Sequence, residues 1–233
     1  MIPPGRPLRI VGDIHGDLRG LTAALATDRF VIQLGDLVDS GPHCAMGDSA
    51  GTLRAMLARQ EAGNGLFLLG NHDHKLARAL MGRDVTITPD LAATLAQLDE
   101  PLRAQALAAI ARAPAWLRLN NAFFVHGGFH TAMLATPSPI GISRVHGLLA
   151  RALYGEPTGR TQPDGYPERS LAWVQRIPPS LTVYCGHDNR GTDGRPAIHR
   201  NPAGGTAIFL DTGAGKGGHL SWLDLPAGAD TPA

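Results

Sequence analysis

Short apolar runs ending in glycine and a polar residue recur along the first third of this chain, and a segment of helical period follows each. Leu8–Val11 runs into Gly12-Asp13, and an amphipathic stretch covers residues 17–27. Residues 30–34 run into Gly35-Asp36, and Ser49–Glu61 reads as helix. Residues 66–69 run into Gly70-Asn71, with a helix expected over about 74–81. Strands alternating with helices predict a βαβαβ unit and a parallel sheet. Residues 90–113, rich in Ala, Leu and Gln, predict one or two helices interrupted near Pro101. Residues 122–126 form an apolar run ending in His126-Gly127-Gly128. Residues 131–167 carry scattered Gly and Pro and read as a functional loop with a short helix near 145–153. A helix over 170–176, a strand over 181–185 ending in Gly186-His187, and strands over 206–210 and 219–225 complete the pattern. The tail from Pro226 is expected to be disordered. With no repeat, linker or heptad, one domain spanning 1–233 is expected, its core at about 8–225.

Composition narrows the partners. Lys plus Arg is 21 and Asp plus Glu is 20, so the net charge of +1 gives no reason to expect nucleic acid or an anionic membrane. Charged residues are only 18% while Gly (29) and Pro (18) are plentiful, which predicts a compact body whose long loops carry function. Cys44 and Cys185 have no metal-ligand spacing, and a reducing compartment fits them better than a disulfide scaffold. The start, Met1-Ile2-Pro3-Pro4-Gly5-Arg6, has no apolar core of a signal peptide. No run approaches the roughly 18 apolar residues needed to span a bilayer. The expectation is a cytoplasmic protein, of undetermined oligomeric state.

The candidate chemistry falls just past the C-terminal ends of the predicted strands, where open α/β sheets build their sites. The segments are Gly12-Asp13-Ile14-His15-Gly16, Gly35-Asp36-Leu37-Val38-Asp39, Gly70-Asn71-His72-Asp73, His126-Gly127-Gly128 and Gly186-His187. They supply carboxylate oxygen, amide oxygen and imidazole nitrogen, donors suited to Mn²⁺, Fe²⁺ or Zn²⁺. One Gly-Asp is ordinary turn chemistry, and one His after a strand is usually structural. Five such segments in order predict a metal site.

The order GDIHG, GDLVDSGP, GNHD, HGG and GH resembles the phosphoprotein phosphatase branch of the calcineurin-like metallophosphoesterases, from about Leu8 to Leu225. The stretch Ala152-Leu153-Tyr154-Gly155-Glu156-Pro157-Thr158-Gly159, with Asp211-Thr212-Gly213-Ala214 downstream, is similar to bacterial members, including the phosphatase module of polynucleotide kinase-phosphatases. The resemblance implies an α/β fold, a β-sandwich flanked by helices in four α/β/β/α layers, with the site along one edge of the sheets. It implies that Asp13 and His15 hold one metal ion, that Asn71, His126 and His187 hold another, and that Asp36 bridges them. Manganese is the expected ion, with iron or zinc as alternatives. Two ions sharing a carboxylate make hydroxide available near neutral pH and offset charge in an in-line transition state. His72 is then the general acid for the leaving oxygen, oriented and charged by Asp39.

One position departs from the family pattern. The motif ordinarily reads GDxVDRG, and its Arg grips the substrate phosphate; here the segment is Asp39-Ser40-Gly41. Ser cannot imitate a planar, permanently charged fork. His43 is a candidate substitute. A second phosphate-binding Arg is expected among Arg144, Arg151, Arg160, Arg169 and Arg176, with Arg169 favoured by Gly165-Tyr166-Pro167-Glu168-Arg169. The Glu156–Gly159 segment reads as pocket lining or as a turn. Asp211 is a candidate hydrogen-bond partner of a ligand histidine, or a turn residue. His74 is expected to open a helix and His199 to lie in a surface loop. Gly213 to Gly218 lacks P-loop spacing, which excludes nucleoside triphosphate binding there, and leaves Lys216 as a residue that approaches the site.

The reaction expected is hydrolysis of phosphate monoesters. A serine/threonine-type phosphoprotein phosphatase is the leading substrate reading, with a dinucleoside polyphosphate or nucleotide phosphohydrolase as the alternative. A non-catalytic binding protein on the same fold is a third. The partner is accordingly a phosphorylated protein or a small phosphorylated molecule.

Overall fold

The computed structural model describes residues 2, 4–41, 47–162, 165, 167–191 and 193–227. The expected tail falls mostly at 228–233, outside the described residues, as do His43 and Cys44.

Two sheets form the body. The first has the order β11-β1-β2-β3, from Trp222–Leu225, Leu8–Val11, Phe30–Gln33 and Gly65–Phe67. β1, β2 and β3 are parallel and β11 runs antiparallel to β1. The second has the order β4-β5-β8-β10-β9, from Trp116–Leu119, Ala122–Val125, Thr182–Cys185, Thr206–Phe209 and Ala197–Arg200. Its central β5, β8 and β10 are parallel, with antiparallel strands at both edges. A small hairpin, β6 (Pro157–Thr161) with β7 (Pro167–Arg169), stands apart.

Strand parity explains the layers. Leu8, Ile10, Phe30, Ile32, Phe124, Tyr184 and Leu210 form one core cluster with residues drawn from both sheets, and Phe124 stacks on Tyr184 at 5.3 Å. Their neighbours one residue along, Val11, Val31, Phe123, Val125, Val183 and Phe209, join a second, larger cluster with helical side chains such as Leu21, Leu53, Met56 and Leu76. Side chains alternate across a strand, so both faces of each central strand are covered and their runs read as continuously apolar. This is the expected sandwich flanked by helices.

The helices are α1 (Leu18–Leu25), α2 (Ser49–Glu61), α3 (Asn71–Leu80), α4 (Pro89–Gln97), α5 (Glu100–Ile110) and α6 (Gly147–Tyr154). Asp17, Asp48 and Asp99 cap α1, α2 and α5 by accepting the N–H of Gly20, Gly51 and Leu102. The break expected near Pro101 falls at residues 98–99, and Pro101 sits in the first turn of α5, where its missing N–H costs nothing. His74 does not open α3: Asn71 does, and buried His74 reaches the Ser143 carbonyl with Nε2 at 3.0 Å. His199 lies in β9 instead of a loop, and the helix expected over 170–176 is a 3₁₀ turn, Ala172–Arg176. The last strand begins at Trp222 instead of 219. Cys185 is a free, buried thiol, its pKa raised first of all by burial. Among the described residues no helix is long and apolar enough to cross a membrane.

Candidate metal centre

The strand-end loops are tied to one another before any side chain converges. Ile14 and His15 donate their backbone N–H groups to the Asp36 carbonyl, both at 3.0 Å, and Gly16 donates to that of Leu37 at 3.1 Å. Buried Gln33 staples the same region: Nε2 donates to the carbonyls of Gly12 and Gly35, and Oε1 accepts the Gly35 N–H. Asp73 accepts the N–H groups of Asp36 (2.7 Å), Leu37 (3.0 Å) and Gly70 (3.2 Å). His15, Asp36, Asp39 and His187 all adopt positive φ, between 46° and 66°. Left-handed backbone at non-glycine residues is costly and concentrates where a site must be held in one geometry.

On this frame the donors point inward. His15 Nδ1 lies 3.0 and 3.1 Å from the carbonyls of Val38 and Asp39. Carbonyls only accept, so the proton sits on Nδ1 and the Nε2 lone pair is free. That Nε2 is buried without a partner, 3.8 Å from Asp13 Oδ2 and 3.7 Å from Asp36 Oδ2. His187 Nε2 is likewise buried and partnerless. His126 donates from Nδ1 to the Leu34 carbonyl at 2.9 Å, which turns Nε2 toward Asn71 Oδ1 (2.9 Å) and Asp36 Oδ2 (3.3 Å). Asp13 accepts the His187 N–H with both oxygens, at 3.1 and 3.0 Å. The Gly186 before that histidine is fixed by crowding, since a Cβ there would collide with Asp13 Oδ1.

The free nitrogens of His15 and His187, the His126 imidazole, an amide and two carboxylates therefore meet in a buried space. Two triples, His15–Asp36–His72 and Asp36–His126–His187, each bring ligand atoms within 4.8 Å of one another, and Asp36 belongs to both. Orphaned imidazole nitrogens facing carboxylates are what a divalent ion satisfies, so these residues fit a metal pair sharing Asp36.

Electrostatics divide the group: Asp36, His15 and His187 rest in the form a metal ligand needs, while Asp13 and His126 hold protons that an ion would displace. Burial would raise the Asp36 pKa, yet the charges of His126 and His72 hold it well below the usual carboxylate range. Burial, and then the charge of Asp211, push Asp13 well above it. Burial depresses His15 and His187 well below an ordinary imidazole, leaving them neutral as ligands must be. His126 is driven the other way, up to about 9, because Asp36 and Asp13 outweigh its burial. Burial and the charge of Asp36 push Asp73 up to about 7.

His72 stands at the rim. Its Nδ1 lies 2.8 Å from Asp39 Oδ2, and the ring is partly exposed beside His15, centroids 5.0 Å apart. Asp36 and Asp39 raise its pKa against the opposing effect of burial. Asp39 is held in turn by Thr94, whose hydroxyl donates to Oδ1 at 2.8 Å, and its own N–H reaches Ser49 and Thr94.

The remaining sequence candidates are placed as follows. Arg169, in β7, donates from Nε to the Tyr154 carbonyl at 3.0 Å, and its charge bears on His187. Ser40 lies beside Gly16, and His43 lies outside the described residues. Asp211 accepts the Gly213 N–H at 2.9 Å, so its hydrogen bond pins a turn instead of holding an imidazole. Ser49 and Thr94 are supporting residues that sequence reasoning missed, and Asp73, though inside the Gly70–Asp73 segment, was given no role of its own. Only Asp73 carried a signal, as the third residue of a helix that begins at a strand end.

A two-sheet α/β frame with such donors at its strand ends defines a class, the metal-dependent hydrolases of phosphoric esters. Within it, this chain belongs to the calcineurin-like phosphoesterases, whose family model matches residues 6–189. Members of that family use a dinuclear metal centre. The chain is 27% identical over 240 residues to a bis(5'-nucleosyl)-tetraphosphatase PrpE [asymmetrical] of Geobacillus thermodenitrificans, covering 93% of this chain and 89% of that protein. It is 28% identical over 238 residues to the protein of that name in Bacillus subtilis, covering 93% and 90%. Among solved structures it is similar to one provisionally assigned as a diadenosine tetraphosphatase, with a TM-score of 0.65 and 22% identity, covering 98% of this chain and 93% of that one. A serine/threonine phosphatase of Saccharomyces cerevisiae matches at 0.60 and 12% identity, covering 96% and 81%. These two likenesses speak for the fold.

Proposed function

We propose that this protein hydrolyses a small phosphorylated substrate of the dinucleoside polyphosphate class at two divalent ions. The observation that carries the reading is the convergence of partnerless imidazole lone pairs on Asp36. Asp13 and His15 would hold one ion, Asn71, His126 and His187 the other, and Asp36 both. Manganese is the ion to test first, with iron and zinc as alternatives. Support for a dinucleotide over a phosphoprotein comes from relatives spanning nearly the whole chain that carry the tetraphosphatase name. The likeness to a protein phosphatase rests on fold at 12% identity, so the alternative of the sequence reading is preferred to its leading one.

When bound, the ions supply Lewis acidity and a nucleophile available at neutral pH. The chain supplies the proton. Asp39 engages His72 Nδ1 at 2.8 Å, which fixes the ring, favours its charged form and leaves Nε2 to protonate the leaving oxygen. Arg169, whose charge bears on His187, is assigned to the substrate phosphate.

The test is phosphate release by protein stripped of metal and resupplied with Mn²⁺, on an aryl phosphate, phosphoserine, phosphothreonine and phosphotyrosine peptides, and diadenosine tetraphosphate. Turnover is expected to require Mn²⁺, to be best on the tetraphosphate, and to fall about 10²–10⁴-fold in His72→Asn with metal content unchanged. A preference for phosphopeptides would replace the substrate class. Absence of metal-dependent turnover on every member would sink the reading as a whole.

A further inference from the structure

The motif position at which the family resemblance leads one to expect a phosphate-gripping arginine is Ser40, which carries no charge. The fold brings a cation to the same place from the far end of the chain. After β10, residues 213–218 close a tight loop: Gly213 N–H donates to Asp211 Oδ1 at 2.9 Å, and its carbonyl accepts the N–H groups of Lys216 (3.0 Å) and Gly218 (2.8 Å). Thr212 Oγ1 pins the exit of the loop by donating to the His219 carbonyl at 2.6 Å. The loop lies directly on the site. A Cβ on Gly215 would collide with the His15 carbonyl, and its φ of +66° suits glycine. The Gly41 N–H donates to the Gly215 carbonyl at 2.9 Å, and a Cβ on Gly41 would lie 3.2 Å from Lys216 Cγ.

Lys216 thus rises beside Ser40-Gly41 on a loop pinned at both ends. Its side chain is exposed, and among the described residues no hydrogen bond or ion pair engages its ammonium. Its charge is felt by His15, His72, His187 and Asp211, whereas that of Arg169 bears on His187. Apart from the charge of Asp211 in its own loop, nothing engages this cation, and a phosphate oxygen at the neighbouring site is a natural partner for it.

We propose that Lys216 binds the substrate phosphate from the Ser40 side, in place of the guanidinium missing at position 40. The proposal rests on the phosphohydrolase reading above. An ammonium on a four-carbon stem serves as a mobile point charge where an arginine would serve as a fixed fork. Asp211 then acts at one remove, by fixing the loop that presents the lysine.

The experiment compares the Mn²⁺-loaded wild type with Lys216→Ala, Lys216→Arg and the double variant Lys216→Ala/Ser40→Arg. Two quantities are read: KM and kcat on the best substrate, and the Kd of inorganic phosphate by calorimetry. Lys216→Ala is expected to raise KM and the phosphate Kd about tenfold, as for loss of one charge-assisted contact, with a smaller change in kcat and unaltered metal content. Lys216→Arg and the double variant are expected to recover most of that loss. Unchanged KM and phosphate Kd in Lys216→Ala would overturn the proposal, and so would a loss that neither arginine restores. Phosphate binding decides the matter even if the wild type turns over no ester, so failure here is separable from failure of the functional reading.

Discussion

Asp73 accepts three backbone N–H groups, those of Asp36, Leu37 and Gly70, and so with one carboxylate fixes the loop that presents Asp36 to the site. In Asp73→Asn a single amide oxygen would remain, and an NH₂ group would face backbone donors. Leaving a buried donor unsatisfied costs about 1–3 kcal/mol. Asp73→Asn is therefore expected to lose about that much stability in urea denaturation, and to bind less Mn²⁺ because Asp36 is no longer held. Normal values of both would show that Asp73 is dispensable. The donors themselves were legible in the sequence, because Asp, Asn and His at successive strand ends are an uncommon combination. Asp73, Ser49 and Thr94 were not, since an acid in a first helical turn and hydroxyls in helices are ordinary residues until burial shows what they touch.

At the scale of elements, the most legible strands were those covered on both faces, such as β2 and β5, every residue of which is buried. β4 and β9 escaped because Arg118, Ile198 and Arg200 are exposed and their short sequences show no apolar run. In the first sheet one edge strand, β11, is locked by charge. Arg9 and Asp224 are register partners across β1 and β11, joined at 2.7 Å, and Arg29 reaches Asp224 at 3.2 Å and the Leu225 carbonyl at 3.0 Å. The Arg9 hydrogen bond lowers the Asp224 pKa against burial, with the charges of both arginines adding to it. A carboxylate whose pKa is lower in the folded than in the unfolded state stabilises the fold above its unfolded pKa, about 3.9, and ceases to do so as pH falls through the folded value. Asp224 is partly exposed, so its contribution stays below about 1 kcal/mol. Asp224→Asn is expected to lower Tm slightly at pH 7 and to match the wild type once the pH drops below the folded pKa. A gap that stayed constant into that range would mean the loss is steric.

For the molecule as a whole, the proposed ligands divide between the sheets. Asp13, His15, Asp36 and Asn71 follow strands of the first, and His126 and His187 follow β5 and β8 of the second. Apolar side chains join the sheets in their interior, while at this edge the join is made of buried carboxylates and partnerless imidazole nitrogens. Such groups are unfavourable to bury without a counter-charge. Ion binding should therefore stabilise the contact between the sheets as well as complete the catalytic site. A ligand that binds only the folded state adds about 2.7 kcal/mol at a hundred times its Kd. For a chain of this length that corresponds to a rise in Tm of roughly 5–11 °C. Calorimetric scans are expected to show Tm falling by that order when EDTA strips the protein and recovering as Mn²⁺ is returned. His187→Ala removes a ligand contributed by the second sheet and is expected to lose most of the recovery, while Asp224→Asn, far from the ions, should keep it. A Tm indifferent to both EDTA and Mn²⁺ would mean that no ion bridges the sheets, whatever the rate of phosphate release.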